Sequence, residues 1–456
     1  MKKFIVLICL LAILYFGNNL RSHNYATVPY PGEIADEYSF GWLGVSLLDK
    51  GYPIAWSGIG AYENTSYKKI NVDHIYDQER DVKAFAIDKP WFDHPPLFGL
   101  VTGGYAYLKD VREFADTSVI ILRRPMLKIA ILNTLLIFWL ATILFSSKTG
   151  ILSAAFYNLT PLSVISSRLA LAENGILPLF LGSLISSFYF LTTKKEKYWI
   201  FACLLGAIAM LMKLSGVSII MFLLLIAFNQ KMPYRQKLFP ILFGGLAILA
   251  FVIYGAYYNW QVFIKVFNAN SARFYGMGAE AINHLFLKPA LMRPFTDGWI
   301  IAAFITSLAV IYKDYKKSKS VTFLSLALFS LLVVFLFFGS EAYGWYRFLF
   351  YPVVYIFLSR YLIEAYEKQN LILYFVILML PFGTTLHRLF GVENFQQYVT
   401  IYRLLIFSVV VLLALSFYDK AKLITRILML GFLFYLFWLS AGLIYFYSPE
   451  TWLFVT

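Results

Sequence analysis

The chain has 456 residues, of which 60% are hydrophobic and only 14% charged, against about 25% charged in ordinary soluble domains. A soluble globule of this size could not cover its surface with so few charges, which excludes soluble enzymes along with disordered, collagen-like and disulfide-scaffold proteins. The net charge of +14 would suit a nucleic-acid surface only if the basic residues were clustered, and their placement argues otherwise.

A bilayer core about 30 Å thick needs roughly 20 apolar residues per spanning helix. Thirteen segments read as spans: 4–18, 124–145, 150–166, 174–192, 198–212, 214–229, 238–257, 299–312, 321–338, 346–362, 371–387, 400–417 and 424–446. The first follows Lys2 and Lys3 and is short enough for a signal peptide, but no small-x-small cleavage site comes after it, so a retained anchor is expected. With Lys2 and Lys3 inside and the sides alternating, the inner segments hold 18 of the 39 basic residues and only five of the 25 acidic ones. The excess positive charge is therefore a positive-inside bias, and no nucleic-acid partner is expected. The chain then divides into a first span at 1–18, an extracytoplasmic loop at 19–123, six spans over 124–257, a second extracytoplasmic loop at 258–298, and six spans over 299–456 with the C-terminus outside. An all-α integral membrane protein of the plasma membrane is the expected fold class, with its chemistry on the outer face.

In the first loop, Asp36 and Glu37 open a helical stretch in which Phe40, Leu43, Gly44, Leu47 and Leu48 recur at helix spacing. It reads as an amphipathic helix on the outer leaflet, ending near Gly51. A second such helix follows Asp93-His94-Pro95-Pro96, with prolines suited to a first turn and Asp93 suited to cap it. Between them, Trp56 to Lys89 is polar and aromatic without a clear period. Asp36 and Glu37, as neighbouring carboxylates at a membrane surface, suit general-base work because each raises the other's pKa; helix capping accounts for them equally. His94 beside Asp93 suits a phosphate, a metal or a structural role.

The five histidines show no paired metal spacing, and no phosphate-cradling glycine loop or serine-hydrolase elbow is present. No cofactor is called for, and a divalent metal stays open. Charges at the outer span ends are more informative: Arg168 and Glu173 between spans 3 and 4, Lys213 between spans 5 and 6, and Arg347 at the start of span 10. Charges this close to hydrocarbon usually face a cavity or each other, or snorkel to headgroups. Converging on one cavity, they would suit the phosphate of a lipid.

Asp36-Glu37 after a first span, then His94-Pro95-Pro96-Leu97, resembles the protein O-mannosyltransferases. The stretch from Arg124 to Leu191, with Arg124-Pro125-Met126-Leu127, Thr160-Pro161, Ser167-Arg168 and Glu173, is similar to the wider membrane glycosyltransferases that use polyprenyl-phosphate sugars, including the lipid A aminoarabinose transferases. Met212-Lys213 with Gly216 resembles the next family feature. The resemblance implies a GT-C bundle of about 13 transmembrane helices whose large first extracytoplasmic loop carries two juxtamembrane helices. It implies an inverting transfer of a sugar from a polyprenyl-phosphate donor to a lipid, glycan or protein acceptor. Asp36, with Glu37 beside it, takes the catalytic position; Asp93, His94, Arg168, Glu173, Lys213 and Arg347 take donor-phosphate or substrate positions. Glu173 departs from the aspartate usual in the family, and Asp93-His94 stand where the aminoarabinose transferases carry an acid-lysine pair. The rival readings are a transporter or flippase of a lipid-linked sugar, and a surface-polysaccharide polymerase or ligase.

Overall fold

A computed structural model describes residues 2–62, 66–72, 83–273, 276, 278–286, 297–338, 344–416 and 422–453. The apolar runs are helical, as lipid requires of backbone that cannot bond to water. The elements used below are α1 (Lys2–Ser22), α2 (Asp36–Lys50), α3 (Leu97–Tyr107), α4 (Val119–Leu144), α5 (Ser147–Leu159), α6 (Pro161–Ser166), α7 (Ala172–Thr193), α8 (Glu196–Met212), α9 (Val217–Asn229), α10 (Tyr234–Ser271), α11 (Ala279–Phe286), α12 (Gly298–Asp314), α13 (Lys319–Phe337), α14 (Phe350–Glu367), α15 (Leu371–Ser416), α16 (Lys422–Phe446) and α17 (Pro449–Leu453). Among the described residues, seven helices are long and apolar enough to cross a bilayer. The remaining predicted spans fall on shorter or broken helices. Span 150–166 is interrupted at Thr160, whose extended backbone (ψ 138°) is what a following proline favours.

Two merged helices conceal reversals. In α10 the helical geometry fails at Asn259 (φ −170°, ψ 102°). Phe251 and Phe263 then pack with ring centroids 5.1 Å apart, where twelve residues of straight helix would separate them by about 18 Å. The chain thus turns back near Asn259 and returns as a helical arm. In α15, Phe382 stacks on Tyr402 at 5.9 Å, where twenty helical residues would span about 30 Å, so this segment also doubles back. Its first arm runs alongside α16, with Tyr374 bonded to the Met429 carbonyl and Phe382 6.5 Å from Tyr435.

The two juxtamembrane helices cross in backbone contact. A Cβ on Gly44 would meet the Gly99 carbonyl oxygen, and one on Gly103 would meet the Gly41 carbonyl oxygen, so only glycine permits this approach. Phe40 lies against His94 and Phe98, Gly44 against Gly99, and Leu48 beside Gly104. The pairs advance together, so α2 and α3 run in the same direction and their N-terminal ends share one side.

Two expectations need correction. The first helix is not a half-exposed amphipathic helix: residues Glu37 to Ser46 are all buried. Its serines are occupied, Ser39 donating to the Trp56 carbonyl and Ser46 bonding to Ile54, because the following segment folds over its polar side. It does end at Gly51, in the left-handed conformation (φ 63°). Asp93 does not cap α3 either: the N-cap is Pro96, with no side-chain bond. The stretch without a clear period contains a three-stranded antiparallel sheet of order β1-β3-β2, built from Ala55–Trp56, Ser66–Val72 and Lys83–Asp88.

Candidate active site

Each charged residue singled out at an outer span end sits where a helix breaks. Lys213 has extended backbone (φ −162°, ψ 142°) between α8 and a short 3₁₀ turn. Arg168 and Glu173 flank the non-helical link from α6 to α7, and Arg347 closes a 3₁₀ turn, Gly344–Arg347. Helix ends leave backbone groups unpaired, and polar side chains gather there.

These residues form two groups. In the first, the Lys213 ammonium lies 2.6 Å from Glu173 Oε1, with side-chain exposures of 5% and 1%, and 3.9 Å from the Tyr346 ring centroid. Asp36 stands within electrostatic reach of Lys213, Glu173 and Arg273, as His94 does of Lys213 and Arg273, so the turn between α8 and α9, the returning arm of α10 and both juxtamembrane helix starts converge. No hydrogen bond engages the Asp36 carboxyl among the described residues. Burial pushes its pKa up, and Lys213 draws it part of the way back. Asp93 accepts from Ser57 Oγ at 2.6 Å and from the Tyr62 hydroxyl at 2.9 Å, while Asn270 holds its backbone carbonyl. Burial raises Asp93 to about 7, against the lowering effect of the two hydroxyl donors. His94 stacks on Phe40 at 5.5 Å; burial first, then the nearby cations, holds its imidazole well below the usual range, hence neutral. Beside this cluster opens a cleft between α9, α13 and α14, walled by Leu331, Val334, Phe335, Phe338, Leu349 and Phe350 and reaching Glu173, Ser215, Ser218 and Tyr346. At that polar end Glu173 Oε2, Ser215 Oγ and Ser218 Oγ are buried without a partner among the described residues.

The second group is a frame of buried charge. Glu37 takes a bidentate pair of bonds from Arg123 at 2.9 and 2.6 Å and a third from the Ala170 amide at 2.8 Å. Arg123 also donates to the carbonyls of Tyr25 and Pro29. Arg168 donates to the carbonyls of Leu20 and Val28, and Arg21 to Ser167, Asn158 and the Tyr157 carbonyl. All four side chains are buried. Glu37 and Arg168 thus belong to the frame around the segment leading to Asp36. Arg347 donates to the carbonyls of Gly344 and Leu285; its neighbour Tyr346, not Arg347, touches Lys213. Among the described residues no three of His, Cys, Asp and Glu are grouped to hold a metal.

Sequence reasoning missed Arg21, Arg123, Arg273 and Tyr346. Arg123 stood one residue outside the predicted span, and its partner lies 86 residues away, a separation no local pattern reports.

Residues 93–258 match the family of dolichyl-phosphate-mannose-protein mannosyltransferases. Two solved structures share the architecture. ArnT from Cupriavidus metallidurans bound to undecaprenyl phosphate superposes with a TM-score of 0.55 at 11% identity, covering 99% of this chain and 76% of that one. The oligosaccharyltransferase of Archaeoglobus fulgidus in its apo form gives 0.54 at 11% identity, covering 97% of this chain and 56% of that one. The fold is GT-C. The chain resembles the membrane glycosyltransferases that use polyprenyl-phosphate carriers in its family match as well as in its fold, as the Asp36 and His94-Pro95-Pro96 motifs implied. No curated protein matches it in sequence.

Proposed function

We propose that this GT-C protein is an inverting glycosyltransferase that moves a sugar from a polyprenyl-phosphate donor to an acceptor on the extracytoplasmic face. The observation that carries this reading is the Asp36 carboxyl, without a hydrogen bond among the described residues, within electrostatic reach of the buried Lys213–Glu173 pair, a pair that lies at the polar end of an apolar cleft. A carboxylate of raised pKa is suited to take a proton. A cation buried beside a carboxylate is suited to receive a phosphate leaving group. The apolar walls of the cleft would border an isoprenoid tail rather than enclose it, and the similar ArnT was solved with undecaprenyl phosphate.

In this mechanism Asp36 removes the proton from the acceptor hydroxyl as its oxygen bonds to the anomeric carbon from the face opposite the phosphate. The bond from that carbon to the phosphate oxygen breaks, and its electron pair leaves on the polyprenyl phosphate. Lys213 and Arg273 stabilise that charge, and neutral His94 donates a hydrogen bond to it. Asp93, held by Ser57 and Tyr62, orients the segment that carries His94. Glu37 and Arg168 support the site without touching substrate. The roof made by α2, α3 and the returning arm of α10 keeps out water that would hydrolyse the donor.

Purified protein in nanodiscs is expected to transfer sugar from a polyprenyl monophosphate donor and to ignore the matching nucleotide sugar. Each buried methylene contributes about 0.8 kcal/mol, so a donor cut to one or two isoprene units should show a steeply raised KM. Turnover with the nucleotide sugar, or indifference to tail length, would sink this reading; movement of the lipid-linked sugar between leaflets without transfer would favour a flippase.

The positive-inside bias places Lys109, exposed after α3, outside and Lys195, exposed after α7, inside. Cysteines introduced there are expected to react oppositely with a membrane-impermeant maleimide: Lys109→Cys in intact cells, Lys195→Cys only after lysis. The reverse pattern would invert the topology.

A further inference from the structure

The segment from His23 to Ala35 carries the chain from α1 to Asp36 and contains only turns. Buried arginines hold its carbonyls from one side: Arg123 at Tyr25 and Pro29, and Arg168 at Val28. From the other side it is held by the far end of the chain. Asn24 Nδ2 donates to the Tyr447 carbonyl at 3.0 Å, His23 Nε2 lies 3.4 Å from the Tyr445 carbonyl, and the Tyr30 hydroxyl donates to the Pro449 carbonyl. Trp452 Nε1 donates to Glu33 Oε2 at 2.8 Å, and the same carboxylate oxygen accepts from the Tyr30 amide. The Trp452 side chain is fully buried and packs edge-on against Tyr447 at 5.3 Å. These partners are more than four hundred residues apart in sequence, and Glu33 stands three residues before Asp36.

We infer that α17 is a latch that positions the proposed base: Trp452, through Glu33 and Tyr30, fixes the last turn before α2 and so the placement of Asp36. Trp452 acts through other groups and is a positioning residue. The inference rests on the transferase reading given above. A side chain this buried, with its one N–H directed onto a carboxylate, is more specific than helix packing needs. The loop it holds has no ladder of its own to fix it. The latch also joins the C-terminal helices to the site, since Tyr447 bonds to Arg388 of α15.

The test compares Trp452→Phe, which keeps an aromatic ring, smaller than the indole, and removes the N–H, with Tyr30→Phe, which removes only the hydroxyl and so controls for the lost indole volume. The full chain in nanodiscs is measured in two ways. In transfer assays each variant should lose between about tenfold and a hundredfold in kcat, as misplacement of a reacting group by an ångström or less does, while KM for the lipid donor stays within about twofold. In hydrogen exchange, amides of residues 24–36 should exchange faster while those of α4, α7 and α8 keep wild-type rates. Unchanged kcat, a matching rise in donor KM, or faster exchange throughout the spans in both variants would overturn the latch. If wild-type protein transfers nothing from the lipid donor, the transferase reading fails by itself. The exchange arm still decides whether Trp452 holds this segment: faster exchange at 24–36 alone supports that, and unchanged exchange refutes it.

Discussion

Asp36→Asn is expected to abolish most transfer while leaving the protein in place. The exchange keeps size and shape and removes the base, which typically costs about 10²–10⁴ in rate. Among the described residues no hydrogen bond to the Asp36 carboxyl is lost, so abundance in the membrane and thermal stability in detergent should match wild type. The pH profile gives a second measure. Only the ionised carboxylate accepts a proton, and burial raises its pKa. The wild-type rate should therefore decline on acidification from a pH above the ordinary carboxylate range, and this limb should vanish in Asp36→Asn. Wild-type turnover from an abundant Asp36→Asn protein would remove Asp36 from the chemistry.

One residue further along, the expected effect is of the opposite kind. Glu37→Gln or Arg123→Leu breaks a fully buried pair whose partners lie 2.6 Å apart. Removing one member of such a pair strands the other, at a cost of about 3–5 kcal/mol, against a total stability of only about 5–15 kcal/mol for a typical domain. Both variants should therefore accumulate poorly and melt early in detergent. The double variant Glu37→Leu with Arg123→Leu should recover part of that loss, because two apolar side chains leave no unpaired charge. Full abundance of Glu37→Gln with loss of transfer would instead move Glu37 into the catalytic group. On the proposed mechanism, the pair Asp36 and Glu37 would separate chemistry from scaffold within one helical turn.

That separation marks where the sequence could be read and where it could not. The apolar runs and the Gly51 stop each report a local property, and the helices follow them. Asp36, Lys213 and Glu173 stood out as candidates because charges beside hydrocarbon are costly and rarely without cause, and the structure brings them together. The same reasoning could not tell Arg168 from Lys213. Both sit at span ends, but Arg168 is bonded to the carbonyls of Leu20 and Val28, and only three-dimensional contact reveals which cation is held by backbone. The small sheet escaped because its strands are short and partly polar. The burial of α2 escaped because its serines meet partners supplied by the segment after Gly51, not by the helix itself.

The glycine crossing of α2 and α3 has a consequence for how such a protein could be redesigned. No layer of side chains separates the two helices, so their spacing is that of two backbones in touch. Asp36, at the start of α2, and Asp93, on the segment leading into α3, are set apart by one rigid gauge. Surface residues around them could be exchanged to accept a bulkier or differently shaped acceptor without altering the interval between the two acids. A single alanine at Gly44 or Gly103 would force the backbones apart and change that interval, while every acid and base stayed in the sequence.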